Sequence, residues 1–219
     1  MDIGGNITSG VWLMVDEWKG WKDEYSPILT CLGGFLFRWN ALEQTALNLM
    51  LTIVGRSKPA QILAAHLGSV ALSNSLKTMA NECVDARIQA PLLHAIVMIE
   101  RLRVYRNFFI HGFNMIGSRS LPTYGADGTL QSLEFIEAIG WAESIKANGK
   151  IVQHDVTVDT HMLETLAAHT AAADNYLVQI HHFLKQLETQ PDIEVSQVLK
   201  DKPPLPDVMK KPLREPEDN

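Results

Sequence analysis

Between Pro27 and Leu187, apolar residues recur at steps of three and four over several long stretches punctuated by Pro and Gly. That spacing belongs to amphipathic helices, since strands alternate at every second residue. Pro27 suits a first helical turn, where a missing N–H is no loss. From Ile28 to Val54, the residues Phe35, Trp39, Leu42, Ala46, Leu49 and Ile53 form one stripe, and Gly55 ends it. Gly33 and Gly34 weaken the first half, which leaves a kink or an irregular start open there. Pro59 opens a second helix to about Cys83, with Ile62, Ala65, Leu72, Leu76 and Met79 in looser period. Pro91 opens a third to about Gly117, apolar nearly all round, as a helix buried on more than one side must be. Asp159 is a good N-cap for a last helix to about Leu187, with Leu163, Leu166, Thr170, Ala173, Leu177, Ile180 and Leu184 facing inward.

The segment between the third and last helices has another character. Ser118–Gly128 contains Pro122, Gly125 and Asp127-Gly128 and reads as a loop. Runs at Leu133–Ile139 and Ile151–Val158 flank Asn148-Gly149, a two-residue hairpin signal. The fold expected is all-α, an up-down four-helix bundle with a small β-hairpin insertion over about 129–158, before the last helix. Residues 27–188 form that bundle. Residues 1–26 form an aromatic-rich segment with Trp12, Trp18 and Trp21. Residues 189–219, with six prolines among charges, read as a flexible tail that cannot bury enough apolar area to order itself.

Bulk properties narrow the function. Apolar residues make up 46% and charged residues 20% of 219, ordinary values for a globular protein. The formal net charge of −6 argues against gripping long nucleic acid by non-specific phosphate contacts, which need many cations on one face. A small site touching one or two phosphates is still allowed. Cys31 and Cys83 have no Cys or His at zinc-ligand spacing and read as buried thiols. His161, His169 and His182 do not share one helical face, so no metal site is expected. There is no Gly-rich phosphate loop. No signal-peptide run appears from Met1 to Gly10, and no apolar stretch reaches the roughly 18 residues of a membrane span. The expected location is cytoplasmic, with no membrane contact.

The third helix carries the chemistry. At 100° per residue, Ala95, Ile99, Leu102, Phe109, Ile110 and Phe113 share one arc, and Arg106 falls in its middle. A cation there must be paired or point into a polar cavity, because an unpaired buried charge costs several kcal/mol. Glu100, Asn107 and His111 share a second stripe, bordered by Arg103 and Asn114. Asn107 and His111 stand four residues apart, where side chains meet. Val97, Val104, Phe108 and Met115 form a further apolar strip that needs a partner, and a second copy of the chain is the simplest. On the first helix Glu43 lies among Trp39, Leu47 and Met50. An ion pair between Glu43 and Arg106 is therefore expected.

The run Arg106-Asn107-Phe108-Phe109-Ile110-His111-Gly112 resembles the signature of the HEPN superfamily (higher eukaryotes and prokaryotes nucleotide-binding). That signature is an Arg, then a polar residue, then a His after four to six intervening positions, late in a bundle helix. The resemblance covers about Pro27 to Leu187 and leaves out both ends. It implies a metal-independent endoribonuclease without cofactor, such as the toxin of a toxin–antitoxin or defence module, acting as a homodimer whose paired motifs line one cleft. On that resemblance Arg106, Asn107 and His111 are catalytic. His111 acts as general acid or base, with an ordinary pKa near ~6.5 that suits neutral pH. Arg106 holds the phosphate and offsets its growing charge. Asn107 fixes the His111 ring or donates to a phosphate oxygen, while Arg103 and Tyr105 are substrate contacts at the rim. If Glu43 pairs with Arg106, the pair either orients the guanidinium at the cleft floor or is purely structural. The alternative from another class is a non-catalytic dimeric module that binds RNA, a nucleotide or a protein partner such as an antitoxin. The acidic net charge leans toward it.

Overall fold

The computed structural model describes residues 26–82, 84–111, 113–145, 151–154 and 158–208. The chain is mostly helical, with a small antiparallel sheet. It divides into a unit of Leu32–Ile110 with Glu164–Lys210, which holds most of the helical residues, and a unit that includes His111–Leu163, which holds the sheet.

Helix α1 spans Ser26–Val54 and continues through Gly33 and Gly34. Its stripe is buried as expected, with Phe35, Trp39, Leu42, Ala46 and Leu49 inside. Gly55 follows with φ +86, a left-handed conformation that Gly adopts without steric cost and that ends helices. The single helix expected over 59–83 is two: α2, Lys58–Ala65, and α3, Ser69–Glu82. Ser57 caps α2 by accepting from Ala60 N at 3.3 Å. His66 N and Leu67 N then donate to the carbonyls of Leu63 and Ala64, each at 3.1 Å, which tightens the last turn. Helix α3 starts again with Leu72 N on the Gly68 carbonyl at 2.9 Å. The break separates a helix that buries Ala64 from one that buries Leu72, Ser73, Leu76 and Ala80. Gly68 weakens any continuous alternative by roughly 1 kcal/mol.

Helix α4, Ala86–His111, starts before Pro91 and ends before Gly117, so both expected bounds shift. The start is earlier because Asp85 caps it, its carboxylate accepting from Arg87 N at 2.9 Å. Pro91 lies inside the helix. The end is earlier because the chain from Phe113 pairs as a strand. Strands β1, Phe113–Tyr124, and β2, Leu130–Ile145, form a long antiparallel hairpin from Phe113↔Glu143 to Tyr124↔Leu130.

The loop expected over 118–128 is thus strand as far as Tyr124. Pro122 had marked it as a loop, but β1 is an edge strand, where Pro is tolerated. The turn is closed by Gly125 N on the Thr129 carbonyl at 2.8 Å and by Asp127 Oδ1, which accepts from Thr129 N at 3.1 Å and Thr129 Oγ1 at 2.7 Å. Gly128 takes φ +78 there. The sheet is therefore larger than the expected insertion over 129–158. Strand β3, Ile151–His154, pairs with β2 from Ile145↔Ile151, and β4, Val158–Asp159, pairs with β2 as well. Asn148-Gly149 lies outside the described residues.

Helix α5, Thr160–Leu187, begins where Asp159 placed it, with Met162 N donating to Asp159 Oδ1 at 2.7 Å. Within the helical unit, Phe35 meets Phe109 edge-on at 5.9 Å. Leu42 and Ala46 meet Leu72, Leu76 and Ile99 around a small void. Arg87 stacks over Phe183 at 5.6 Å, and His94 meets Tyr176 at 6.0 Å. These pairings make α1 and α5 both run opposite to α4. Thr52 ties α1 to α5 through His181 Nε2 at 2.9 Å.

The tail departs from expectation. After α5 the chain makes a short helix, α6, Val195–Val198, and then continues without helix or strand to residue 208. Ile193, Leu199 and Pro206 are buried. Arg87 Nη1 donates to the carbonyls of Pro191 at 3.1 Å and Ile193 at 2.9 Å, and Lys200 N donates to Gln179 Oε1 at 2.8 Å. The tail does not order itself; α4 and α5 lend it the apolar surface and donors its own composition lacks. Residues 209–219 and the Trp-rich segment up to residue 25 lie outside the described residues. Among the described residues, no helix is long and apolar enough to cross a membrane.

Candidate functional site

The Arg/His run occupies the last turns of α4, which closes at His111. Phe108 and Phe109 are buried and meet edge-to-face at 5.3 Å, and Phe109 rests on Phe35. These rings fix the rotation of the helix about its axis. Arg106 and Asn107, immediately before them, are half-buried. Arg106 falls in the apolar arc by its Cβ direction, yet the residue is only half-buried.

Arg106 Nη1 donates to Asn107 Oδ1 at 3.2 Å. That uses the amide oxygen of Asn107 and leaves its NH2 as a donor. The backbone of Arg106, Asn107 and His111 belongs to one helix, with Asn107 and His111 four residues apart. The His111 side chain lies outside the described residues.

Arg103, one turn before Arg106, is half-buried, and its Nη1 is shielded from water with no hydrogen-bond partner among the described residues. Trp39 Nε1 is in the same condition. A buried guanidinium nitrogen without an acceptor is costly, and such donors suit an anion.

Glu43 and Tyr105 have other contacts than those expected of them. Glu43 accepts a hydrogen bond from Ser69 Oγ, across from α3. Arg87 and Asp85 form an ion pair at 2.8 Å, and the contact found at the Glu43 carboxylate is the Ser69 hydroxyl, where Arg106 was expected. The wheel gave Glu43 a direction toward the core but could not say that α3, with its serine, occupies that side. Tyr105 is not at an open rim. It is 3% exposed, its hydroxyl donates to the Asp207 carbonyl at 3.3 Å, and burial together with the Asp207 charge raises its pKa.

The sequence reading missed His94 and Arg101. His94 Nε2 bonds the Pro203 carbonyl at 2.8 Å, so this nitrogen carries the proton, and Arg101 Nη1 donates to the Pro206 carbonyl at 2.7 Å. Burial lowers the His94 pKa, with Lys202 and Arg101 adding to the effect against the Pro203 carbonyl. The signal was present: Arg87, His94 and Arg101 recur at intervals of seven, one face of a helix.

An open cleft of about 210 Å³ lies at the other end of α4, lined by Thr52, Ile53, Val84, Asp85, Leu184, Leu187 and Glu188. It has two carboxylates and no residue of the run. No His/Cys/Asp/Glu cluster suited to a metal occurs among the described residues. The chain matches no family model, no curated protein and no solved structure.

Proposed function

We propose that the chain is a HEPN-type, metal-independent endoribonuclease built on an up-down four-helix bundle of α1, α3, α4 and α5, acting as a homodimer in the cytoplasm. The observation that carries this reading is the end of α4, where two guanidiniums stand one helical turn apart and the Arg103 Nη1 has no acceptor among the described residues. Arg103 and Arg106 hold the scissile phosphate, and the Asn107 NH2 donates to a phosphate oxygen or fixes the His111 ring. The RNA 2′-hydroxyl attacks the adjacent phosphorus. Its proton leaves to a general base, the bond to the 5′-oxygen breaks, and that oxygen takes a proton from a general acid. His111 serves in one of these roles. The products are a 2′,3′-cyclic phosphate and a 5′-hydroxyl. The exposed Val97 and Val104 supply the face on which a second copy brings its own run to the same cleft. Tyr105, held under the tail, has no part in substrate binding. A toxin or defence role, with an antitoxin as partner, follows from the same resemblance.

Expression in a bacterial host, compared with His111→Ala, tests the reading. Growth arrest and RNA decay relieved by the substitution support it; growth unimpaired by the parent chain counts against it. The net charge of −6 favours the second reading, a dimeric module that binds RNA, a nucleotide or a protein without cleaving. Under that reading RNA binds and stays intact.

A further inference from the structure

The face of α4 that faces the tail is built as a peptide site. Its donors are His94, Arg101 and Tyr105, and each engages a backbone carbonyl of the segment Pro203-Pro204-Leu205-Pro206-Asp207. That segment has no secondary structure of its own and carries prolines at its first and fourth positions, the P-x-x-P spacing of polyproline II ligands.

The lengths agree. His94 and Arg101 are seven residues apart, about 10.5 Å along a helix at ~1.5 Å per residue. The carbonyls they hold are three residues apart, about 9.3 Å in a polyproline II strand at ~3.1 Å per residue. Both run in the same direction, since Tyr105 follows Arg101 as Asp207 follows Pro206. Pro206 is buried while Pro204 and Asp207 are exposed. Tyr105 reaches the segment through its hydroxyl, and the His94 ring that holds Pro203 is itself backed edge-on by Tyr176. Among the described residues, the hydrogen bonds from His94, Arg101 and Tyr105 run to main-chain oxygens, so the site reads backbone shape and proline spacing.

We propose that this face of α4 is a docking site for extended P-x-x-P peptides, and that residues 203–207 are its tethered resident ligand. The partner is a proline-rich strand of another polypeptide, presented parallel to α4. A tethered ligand competes at an effective concentration in the millimolar range. A partner therefore binds weakly until the resident segment lets go. This inference stands apart from the nuclease reading, because none of its residues belongs to the Arg/His run.

The test uses the full chain and a fluorescent peptide of residues 200–208, read by anisotropy. The parent binds it weakly. The double variant Pro203→Gly with Pro206→Gly, whose own segment no longer fits, binds it at least about tenfold more tightly. Adding Arg101→Ala removes that gain, and a peptide with both prolines replaced by Gly does not bind. The idea fails if the double variant keeps the parent's circular dichroism, shows the Asp207 carbonyl 13C resonance at its free value, and still binds no better than the parent. Should the double variant not fold, the parent decides alone. Millimolar peptide then shifts the carbonyl 13C resonances of Pro203, Pro206 and Asp207, whose hydrogen bonds it replaces, and unchanged resonances overturn the proposal.

Discussion

The Arg101 guanidinium and the carbonyl oxygen of Pro206 stand 2.7 Å apart, so a charged group on α4 holds a residue more than a hundred positions later in the chain. A hydrogen bond from a charged donor contributes about 1.5–3 kcal/mol. Arg101→Ala should lower unfolding free energy by about that much in urea denaturation. The amides of Leu199 and Lys200, whose bonds hold the start of this segment, should lose protection first, while those of α1 keep theirs.

The phenylalanines at 35 and 37 offer a paired comparison. Phe35 is fully buried against Phe109, whereas Phe37 is 76% exposed. Phe35→Ala should cost about 3–5 kcal/mol, the loss of a large ring plus its cavity. Phe37→Ala should stay within about 0.5 kcal/mol of the parent. Equal losses from the two would contradict the buried stripe of α1.

His181 and His94 set the acid side of the stability profile. Burial lowers the His181 pKa, with Lys185, Arg56 and His182 adding to it, and burial is the main cause for His94 too. The folded state therefore favours the neutral rings. Their contribution is fully present above the ordinary histidine value of 6.5 and is lost as pH falls through the lower folded values. Stability should drop on acidification below about 6.5. His181→Gln together with His94→Gln should flatten that drop. Asp85, held at about 2 by its hydrogen bonds with Arg87, adds stability that disappears only in stronger acid.

Much of the helical layout was legible because its signals are local. Gly55 ends α1, Asp159 caps α5, and the apolar stripe of α1 is the one buried. What escaped depends on neighbours. Pro122 reads as a breaker unless its strand is known to lie at an edge. Pro91 reads as a helix start unless Asp85 is known to cap the turn before it. The tail looked unable to order itself because its partner surface is on α4, more than a hundred residues earlier. At the candidate site, the neighbouring places of Arg106 and Asn107 on α4 could be read from spacing. Which donors met acceptors could not, since Glu43 went to Ser69 and Tyr105 to Asp207.

Val97 and Val104 are 36% and 48% exposed on one face of α4. If a second copy covers them, Val97→Glu with Val104→Glu should convert a dimer to a monomer in light scattering after size exclusion. Thermal stability of the monomer should change little, because neither side chain is in the core. A parent chain that is already monomeric at tens of micromolar would contradict the composite cleft.

The nuclease reading is tested most directly by incubating the purified chain with single-stranded RNA in excess EDTA and identifying the ends produced. The expected result is fragments with 2′,3′-cyclic phosphate and 5′-hydroxyl ends, at a rate reduced at least ~100-fold in His111→Ala, the usual scale for losing a general acid or base. Intact RNA with the folded parent chain, or cleavage that His111→Ala leaves unchanged, would contradict it.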